Sequence, residues 1–298
     1  MKFKTVVLSV ALAAVTYASF LPGVASAGSV NQFVTSEWIS QEIKSACKDQ
    51  TTGYSILVRD LKTGQEAYLN PMRQRSASLI KVYILAEAYN LKKQGKLDFN
   101  EPVIIHKADQ RAWGSLDKVP DGTKVTVRDL LEQMIVVSDN TATNVLIEFL
   151  GMDTVNAYCR KLGLKSTVLE RKMLDWDAIE QGRNNYTSAE DQLAVFSGLY
   201  RSSILTPELC AYALGILKRQ RDFSSALRYI ADENLSAAHK TGGLDYLNHD
   251  AGIFYLPGRD YYFGCFVTDA MDDTEKNEIS KKLIGRLSRA VYNYYKEG

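Results

Sequence analysis

The chain has 298 residues, 46% hydrophobic and 24% charged, with 36 basic against 35 acidic side chains. That composition is ordinary for globular protein and long enough to bury one large core or two coupled ones. It excludes a polyanion-binding strategy, which needs a basic excess or stripe, and short basic clusters such as Lys218, Arg219 and Arg221 read as a solvated helix face.

From the N-terminus, Lys2 and Lys4 precede an apolar run from Val6 to Leu21, a Pro22-Gly23 break and the small residues Ala25-Ser26-Ala27. This order predicts a secretory signal peptide over 1–27, cleaved after Ala27, in preference to a retained membrane anchor. Loss of Lys2 and Lys4 would leave 34 basic residues against 35 acidic ones, a net charge of −1. The mature chain is therefore expected to be exported, with no stable membrane span and no nucleic-acid partner, as a monomer. Cys47, Cys159, Cys210 and Cys265 lie far apart without Cys-x-x-Cys spacing, and only three histidines are present. Neither a metal site nor a disulfide framework is suggested, and no cofactor is expected.

Thr35-Ser36-Glu37 followed by Ile39, Ile43 and Cys47 predicts a capped amphipathic helix. Tyr54 to Asp60 and Glu66 to Leu69 alternate as strands around the Leu61-Lys62-Thr63-Gly64 turn, which predicts a hairpin. A strongly apolar helix is expected from Ser78 to about Gln94. Further helices read at 127–136, 141–150, 152–162, 189–197, 207–219 and 273–295. Strand character returns at 236–241, 251–256 and 261–268, with Pro257-Gly258 turning the last pair. Strands at both chain ends around a helical middle predict one antiparallel sheet, of the α+β class, with the helical block as an insertion.

Ser-x-x-Lys occurs at Ser45/Lys48, Ser78/Lys81 and Ser115/Lys118, so the pattern alone selects nothing. Ser45 sits at the polar end of its helix and Ser115 in a loop beside Pro120-Asp121-Gly122. Ser78 instead opens an apolar helix, where unpaired backbone N–H groups favour an oxyanion, and Lys81 returns to the same face. Taken alone, Ser78 is a helix-capping serine and Lys81 a snorkelling lysine. Ser138-Asp139-Asn140 alone is a capping turn, and Lys240-Thr241-Gly242 an exposed strand end.

Ser138 follows Ser78 by 60 residues and Lys240 follows Ser138 by 102. In that order and with their flanks, Ala-Ser-Leu-Ile-Lys, Ile-Val-Val-Ser-Asp-Asn and His-Lys-Thr-Gly-Gly resemble the motif set of class A β-lactamases and penicillin-binding serine enzymes. The resemblance implies a β-lactamase/transpeptidase-like fold, with a five-stranded antiparallel sheet flanked by helices, an all-helical part, and a groove between them. The expected division is 28–70 with 222–298 as the sheet portion and 71–221 as the helical one. It also implies Ser78 as nucleophile, Lys81 as its base and Ser138 as proton relay to the leaving nitrogen. Lys240 would raise the local positive potential and tether Ser138. Asn140 would hold the substrate amide and Thr241 the substrate carboxylate, beside Gly242. The N–H groups of Ser78 and Gly243 would form the oxyanion hole, and Trp113 is placed either to flank the cleft or to fill core.

Two departures stand out. Class A β-lactamases carry a loop glutamate that directs the deacylating water, and alignment on Arg171 puts Met173 there. Glu180, with Asn184 one turn on, is the displaced candidate for that base; Glu170 and Asp175 are lesser ones. The segment from Arg171 to Asn185 is also short, like that of class A-related D-alanyl-D-alanine peptidases. No arginine is evident opposite the substrate carboxylate, where His249 and Asp250 fall instead; Arg228 is a substitute from the preceding segment. The resemblance thus implies an active-site serine hydrolase opening β-lactam rings through an acyl-enzyme, with slow release. Its rivals are a D-alanyl-D-alanine carboxypeptidase acting on peptidoglycan peptides and a non-hydrolytic β-lactam sensor or cell-wall-binding module.

Overall fold

A computed structural model describes residues 35–47, 53–268 and 276–297, so the expected signal peptide and the Ser45/Lys48 pair lie outside the described residues or side chains. In chain order the elements are α1 (Ser36–Cys47), β1 (Gly53–Asp60), β2 (Glu66–Leu69), β3 (Gln74–Arg75), a 3-10 turn (Ala77–Leu79), α2 (Ile80–Lys93), β4 (Pro102–Ile105), β5 (Thr123–Thr126), α3 (Val127–Val136), α4 (Asn140–Leu150) and α5 (Met152–Lys161). Then follow α6 (Trp176–Glu180), β6 (Tyr186–Thr187), α7 (Ala189–Tyr200), α8 (Pro207–Leu217), β7 (Ser236–Leu244), β8 (Leu247–Tyr255), β9 (Tyr261–Thr268) and α9 (Lys276–Glu297). Thr35 caps α1, its Oγ1 accepting from Trp38 N at 3.1 Å.

The main sheet has the order β2-β1-β9-β8-β7, antiparallel throughout. Period-2 alternation divides its side chains between two cores. Leu57, Ala251, Ile253, Tyr262 and Phe266 join the helices of the chain's middle in one cluster. Ile56, Val58, Phe254, Phe263 and Val267 face the other way, against Ile39 and Ile43 of α1 and Ile284, Leu287 and Val291 of α9. Each such fully buried side chain stabilises by about 1.5–3 kcal/mol, so neither face can be left uncovered.

α7 lies within the segment expected to be helical, yet it packs on β1, β8 and β9. Tyr262 Oη donates to Ala189 O at 3.1 Å, and Gly264 leaves room for that phenol, which an added Cβ would meet at 2.5 Å. The division into 28–70 with 222–298 and 71–221 is accordingly a proposal about how the chain is organised, bridged by this helix.

Several elements differ from the sequence expectation. β7 and β8 run on to a tight hairpin at Asp245-Tyr246, four residues beyond the start expected for β8, because Asn248, His249 and Asp250 are buried polar residues that hydropathy reads as loop. The two-stranded β3-β6 and β4-β5 pairs are too short for a periodic signal. The long helix begins at Ile80, not Ser78.

Candidate active site

Ser78 sits in the 3-10 turn before α2, half-buried, and the turn is fixed from several sides. Ser76 N donates to Asn185 O at 2.8 Å, Leu79 N to Ser76 O at 3.0 Å, and Gln192 Nε2 to Leu79 O at 3.0 Å. Ala77 is held at φ +44°, a left-handed conformation costing a non-glycine residue on the order of 1–3 kcal/mol and persisting only where surroundings over-determine it. Gly242 of β7 crosses directly above. A Cβ there would lie 3.2 Å from Ser78 N, Ser76 O and Ala77 Cβ, so the close approach of strand to turn favours glycine. Ser78 Oγ and N carry no hydrogen bond to another described residue and line an open cleft.

Lys81, one turn into α2, is fully buried. Its Nζ donates to Ser138 O at 2.7 Å and Asn140 Oδ1 at 3.0 Å, and lies 3.1 Å from Ser138 Oγ. Burial depresses its pKa well below the usual lysine value, the charge of Lys240 lowers it further, and Asp139 opposes both. Two contacts go to obligate acceptors, so a neutral amine keeps both and directs its lone pair toward a hydroxyl. The sequence reading expected Lys81 to meet the Ser78 hydroxyl; its bonds join it to Ser138 and Asn140 instead.

Ser138 and Asn140 are positioned by the residue between them. Asp139 is fully buried and caps α4, Oδ1 accepting from Ala142 N at 2.7 Å, while Oδ2 accepts from Leu116 N at 2.8 Å. A Cβ at Gly114 would fall 2.2 Å from Asp139 Oδ2, so glycine lets the 111–116 loop close over the carboxylate. Asn140 Nδ2 then donates to Ala112 O at 3.0 Å, which fixes its amide with Oδ1 toward Lys81. Ser138 is at φ +58° and Trp113 at φ +62°. Trp113 is 71% exposed at the cleft mouth, which rules out the core alternative for it.

Lys240 points inward from β7, fully buried, and donates to Thr241 O at 2.9 Å; among the described hydrogen bonds none ties it to Ser138, as the resemblance had implied. Burial lowers its pKa to about 8, resisted by Asp222 and Asp250. Thr241 Oγ1 accepts from Gln220 Nε2 at 2.8 Å, and its hydroxyl donates to the Asp222 carboxylate. Burial would raise the Asp222 carboxyl, but bonds from Ser224 and Thr241 and the charge of Lys240 bring it below the usual value.

The arginine substitute does not reach this site. Arg228 Nη2 is 2.8 Å from Glu278 Oε2 of α9, on the other side of the sheet. His249 is buried between Asn248 O and Arg75 O, and burial pushes its pKa down to about 4, so it is uncharged at neutral pH. Asp250 is engaged by His239 Nδ1 at 2.9 Å and Ala226 N at 2.9 Å.

The 170–185 segment closes the cleft. Asn185 Oδ1 accepts from Glu170 N at 2.8 Å and Arg171 N at 3.0 Å, and its Nδ2 donates to Arg171 O at 3.0 Å. Met173 is buried and held at both backbone atoms by Asn144, Met173 N donating to Oδ1 at 2.6 Å and Nδ2 donating to Met173 O at 3.0 Å. Met173 lines the same cleft as Ser78, Asn140 and Gly243, a hollow of about 490 Å³ open to solvent. Glu180 is exposed at the end of α6 and outside the cleft lining, and Asn184 Oδ1 accepts from Arg171 Nε rather than pairing with it. The structure does not bring Glu180 to the cleft with Ser78. Sequence reasoning missed Asn144, although it lies one helical turn after Asn140 on the same face of α4.

The sequence pattern of the beta-lactamase enzyme family matches residues 38–295. The extended-spectrum beta-lactamase PER-1 of Pseudomonas aeruginosa is 25% identical over 230 residues, covering 73% of this chain and 74% of that protein. The D-alanyl-D-alanine carboxypeptidase DacA of Haemophilus influenzae is 32% identical over 172 residues, covering 51% of this chain and 40% of that protein. The crystal structure of a beta-lactamase from Sphaerobacter thermophilus superposes with a TM-score of 0.80 at 23% identity, over 89% of this chain and 99% of that one. With a β-lactamase/transpeptidase-like fold and a family match across nearly all described residues, the chain belongs to the beta-lactamase enzyme family.

Proposed function

We propose that this protein is an exported class A-type serine hydrolase that opens β-lactam rings through an acyl-enzyme on Ser78 and releases the acyl group slowly. The observation that carries the reading is Lys81. A fully buried lysine with a depressed pKa, hydrogen-bonded to Ser138 and one helical turn from Ser78, has the right chemistry and placement for a proton acceptor.

In this mechanism neutral Lys81 takes the Ser78 Oγ proton while Oγ bonds to the lactam carbonyl carbon. The oxyanion is received by the N–H groups of Ser78 and Gly243, a contribution of about 3 kcal/mol per donor. Ser138 Oγ–H then protonates the ring nitrogen as the C–N bond breaks, and Lys81 reprotonates Ser138. Lys240 and the Thr241 hydroxyl, turned from Asp222, would receive the substrate carboxylate, and Asn140 its side-chain amide. Release requires a water and a base. Met173, a thioether, stands at the cleft wall where the sequence alignment calls for that base.

The same observation favours a second reading, a D-alanyl-D-alanine carboxypeptidase, since acylation is common to both and the missing carboxylate matters for penicilloyl release. Export and the leader over 1–27 belong to the proposal as well; among the described residues no helix is long and apolar enough to cross a membrane. Intact-mass spectrometry over time after mixing with benzylpenicillin tests the mechanism. A slowly decaying adduct of one penicilloyl group is expected, and Ser78→Ala should abolish it. Labelling that persists in this variant would move the nucleophile elsewhere.

A further inference from the structure

The near-balanced charge of the chain hides a local excess. The α9 sequence has six basic residues against two acidic ones, leaving 30 basic against 33 acidic in the rest of the chain. Arg286, Arg289, Ala290 and Asn293 recur at i, i+3, i+4 and i+7, so they share one stripe of that helix. With Tyr229 they line a second hollow, of about 640 Å³ and open to solvent. It lies on the α9 side of the sheet, whereas the turn that carries Ser78 packs into the other core. A close approach builds it. A Cβ at Gly285 would lie 2.9 Å from Ser225 O and 3.0 Å from the Tyr229 ring, so glycine lets the 225–229 segment rest directly on α9. The Arg228 guanidinium, 5.6 Å from the centre of the Tyr229 ring, is paired with Glu278 at 2.8 Å, which steadies that wall and occupies the acid. Asp232 is held in turn by Tyr292 and by Lys296 at 3.0 Å. Among the described lining residues none is acidic, and both lining arginines are exposed.

We infer that this hollow binds a phosphate ester, with the phosphoryl oxygens on Arg286 and Arg289 and the organic part against Tyr229 and Ala290. Guanidinium forks recognise phosphate through parallel N–H···O bonds, and the Asn293 amide supplies a further donor. The volume falls within the range of about 300–1,000 Å³ typical of small-molecule sites, more than a bare ion needs. Two arginines suit one phosphoryl group rather than the backbone of a polyanion. The site is independent of the chemistry at Ser78, from which the sheet separates it.

The test titrates the isotope-labelled full chain with phenyl phosphate, inorganic phosphate and sodium chloride at matched ionic strength, reading the arginine Nε–H and Asn293 amide signals by NMR. Phenyl phosphate should move the signals of Arg286, Arg289 and Asn293 saturably. Inorganic phosphate should move the same signals with about tenfold weaker affinity, as expected from covering roughly 50 Å² of apolar surface, and chloride should leave them in place. Arg289→Gln should weaken phenyl phosphate by about tenfold, and Arg289→Lys, which keeps the charge and loses the fork, by about threefold. The exposure of Arg289 makes both variants compatible with folding, and acylation of Ser78 should proceed in them as in wild type. Shifts that chloride reproduces, or that Arg289→Gln leaves unchanged, overturn the site. Equal affinity for the two phosphates overturns the ester assignment. Vesicles containing phosphatidylglycerol test the other source of a phosphate group: sedimentation of the protein with them, without any response to phenyl phosphate, makes α9 a lipid-facing surface and overturns the pocket.

Discussion

Replacing Met173 with glutamate separates the two halves of the proposed reaction. Asn144 holds the backbone of residue 173 at both N and O, so a new side chain would leave from the same point and enter the cleft along the path of the thioether. Methionine and glutamate have nearly equal reach, which would bring a carboxylate to the wall beside Ser78. A positioned general base is worth about 10²–10⁴-fold, or roughly 3–5 kcal/mol of barrier. Partial burial would raise its pKa toward neutrality, favourable for a base, at a stability cost of about 1–3 kcal/mol. The assay compares the burst and the steady-state rate with benzylpenicillin. Wild type should show a burst near one equivalent and a slow steady state, and Met173→Glu should raise the steady state by at least about 100-fold with acylation changed by less than about threefold. Met173→Gln, with the same shape and no base, should stay slow. A brisk steady rate without a burst in wild type, or acceleration by the glutamine variant, would refute the reasoning.

Because burial lowers the Lys81 pKa, the acylation rate should fall as pH drops through it; a rate independent of pH on the acid side, measured by stopped-flow with a chromogenic cephalosporin, would argue against Lys81 as proton acceptor. Lys240 titrates near 8 in the fold against an unfolded value of 10.5, so between those values the unfolded chain binds more protons and stability rises with pH. Below about 8 both states are charged and this contribution is flat. The full penalty is about 3 kcal/mol at 1.36 kcal/mol per pKa unit, and urea unfolding at pH 7.5 and 9.5 should show a steeper rise for wild type than for Lys240→Met. Asp139→Ala would leave Leu116 N and Ala142 N buried without their acceptor and should destabilise the protein by about 2–4 kcal/mol in urea unfolding, slowing acylation as well.

The architecture was legible because its signals are periodic. Ile56/Leu57/Val58 and Tyr261/Tyr262/Phe263 alternate strictly between the two cores, and the apolar density after Ser78 marks a central helix. The convergence of Ser78, Lys81, Ser138 and Lys240 was readable only through three short motifs taken together, since each alone is commonplace. Arg228 and Glu180 were named as candidates by residue type and spacing, and neither borders the cleft, because a sequence does not say which side of a sheet or loop a long polar side chain will take. Asp139 and Asn144 were passed over for the opposite reason. Their importance lies in bonds to backbone atoms of distant loops, at Leu116 and Met173, which no local pattern announces.

The latch at Asn185 has a consequence of its own. A loop shut by an ion pair loosens when acid protonates the carboxylate or when salt screens the attraction, whereas the carboxamide of Asn185 binds three main-chain groups of residues 170 and 171 without net charge. The bonds of Asn185 should therefore hold across a wide span of acidity and ionic strength, whereas the Lys172–Glu148 ion pair and the Asp175 cap of α6 in the same segment should weaken at its extremes.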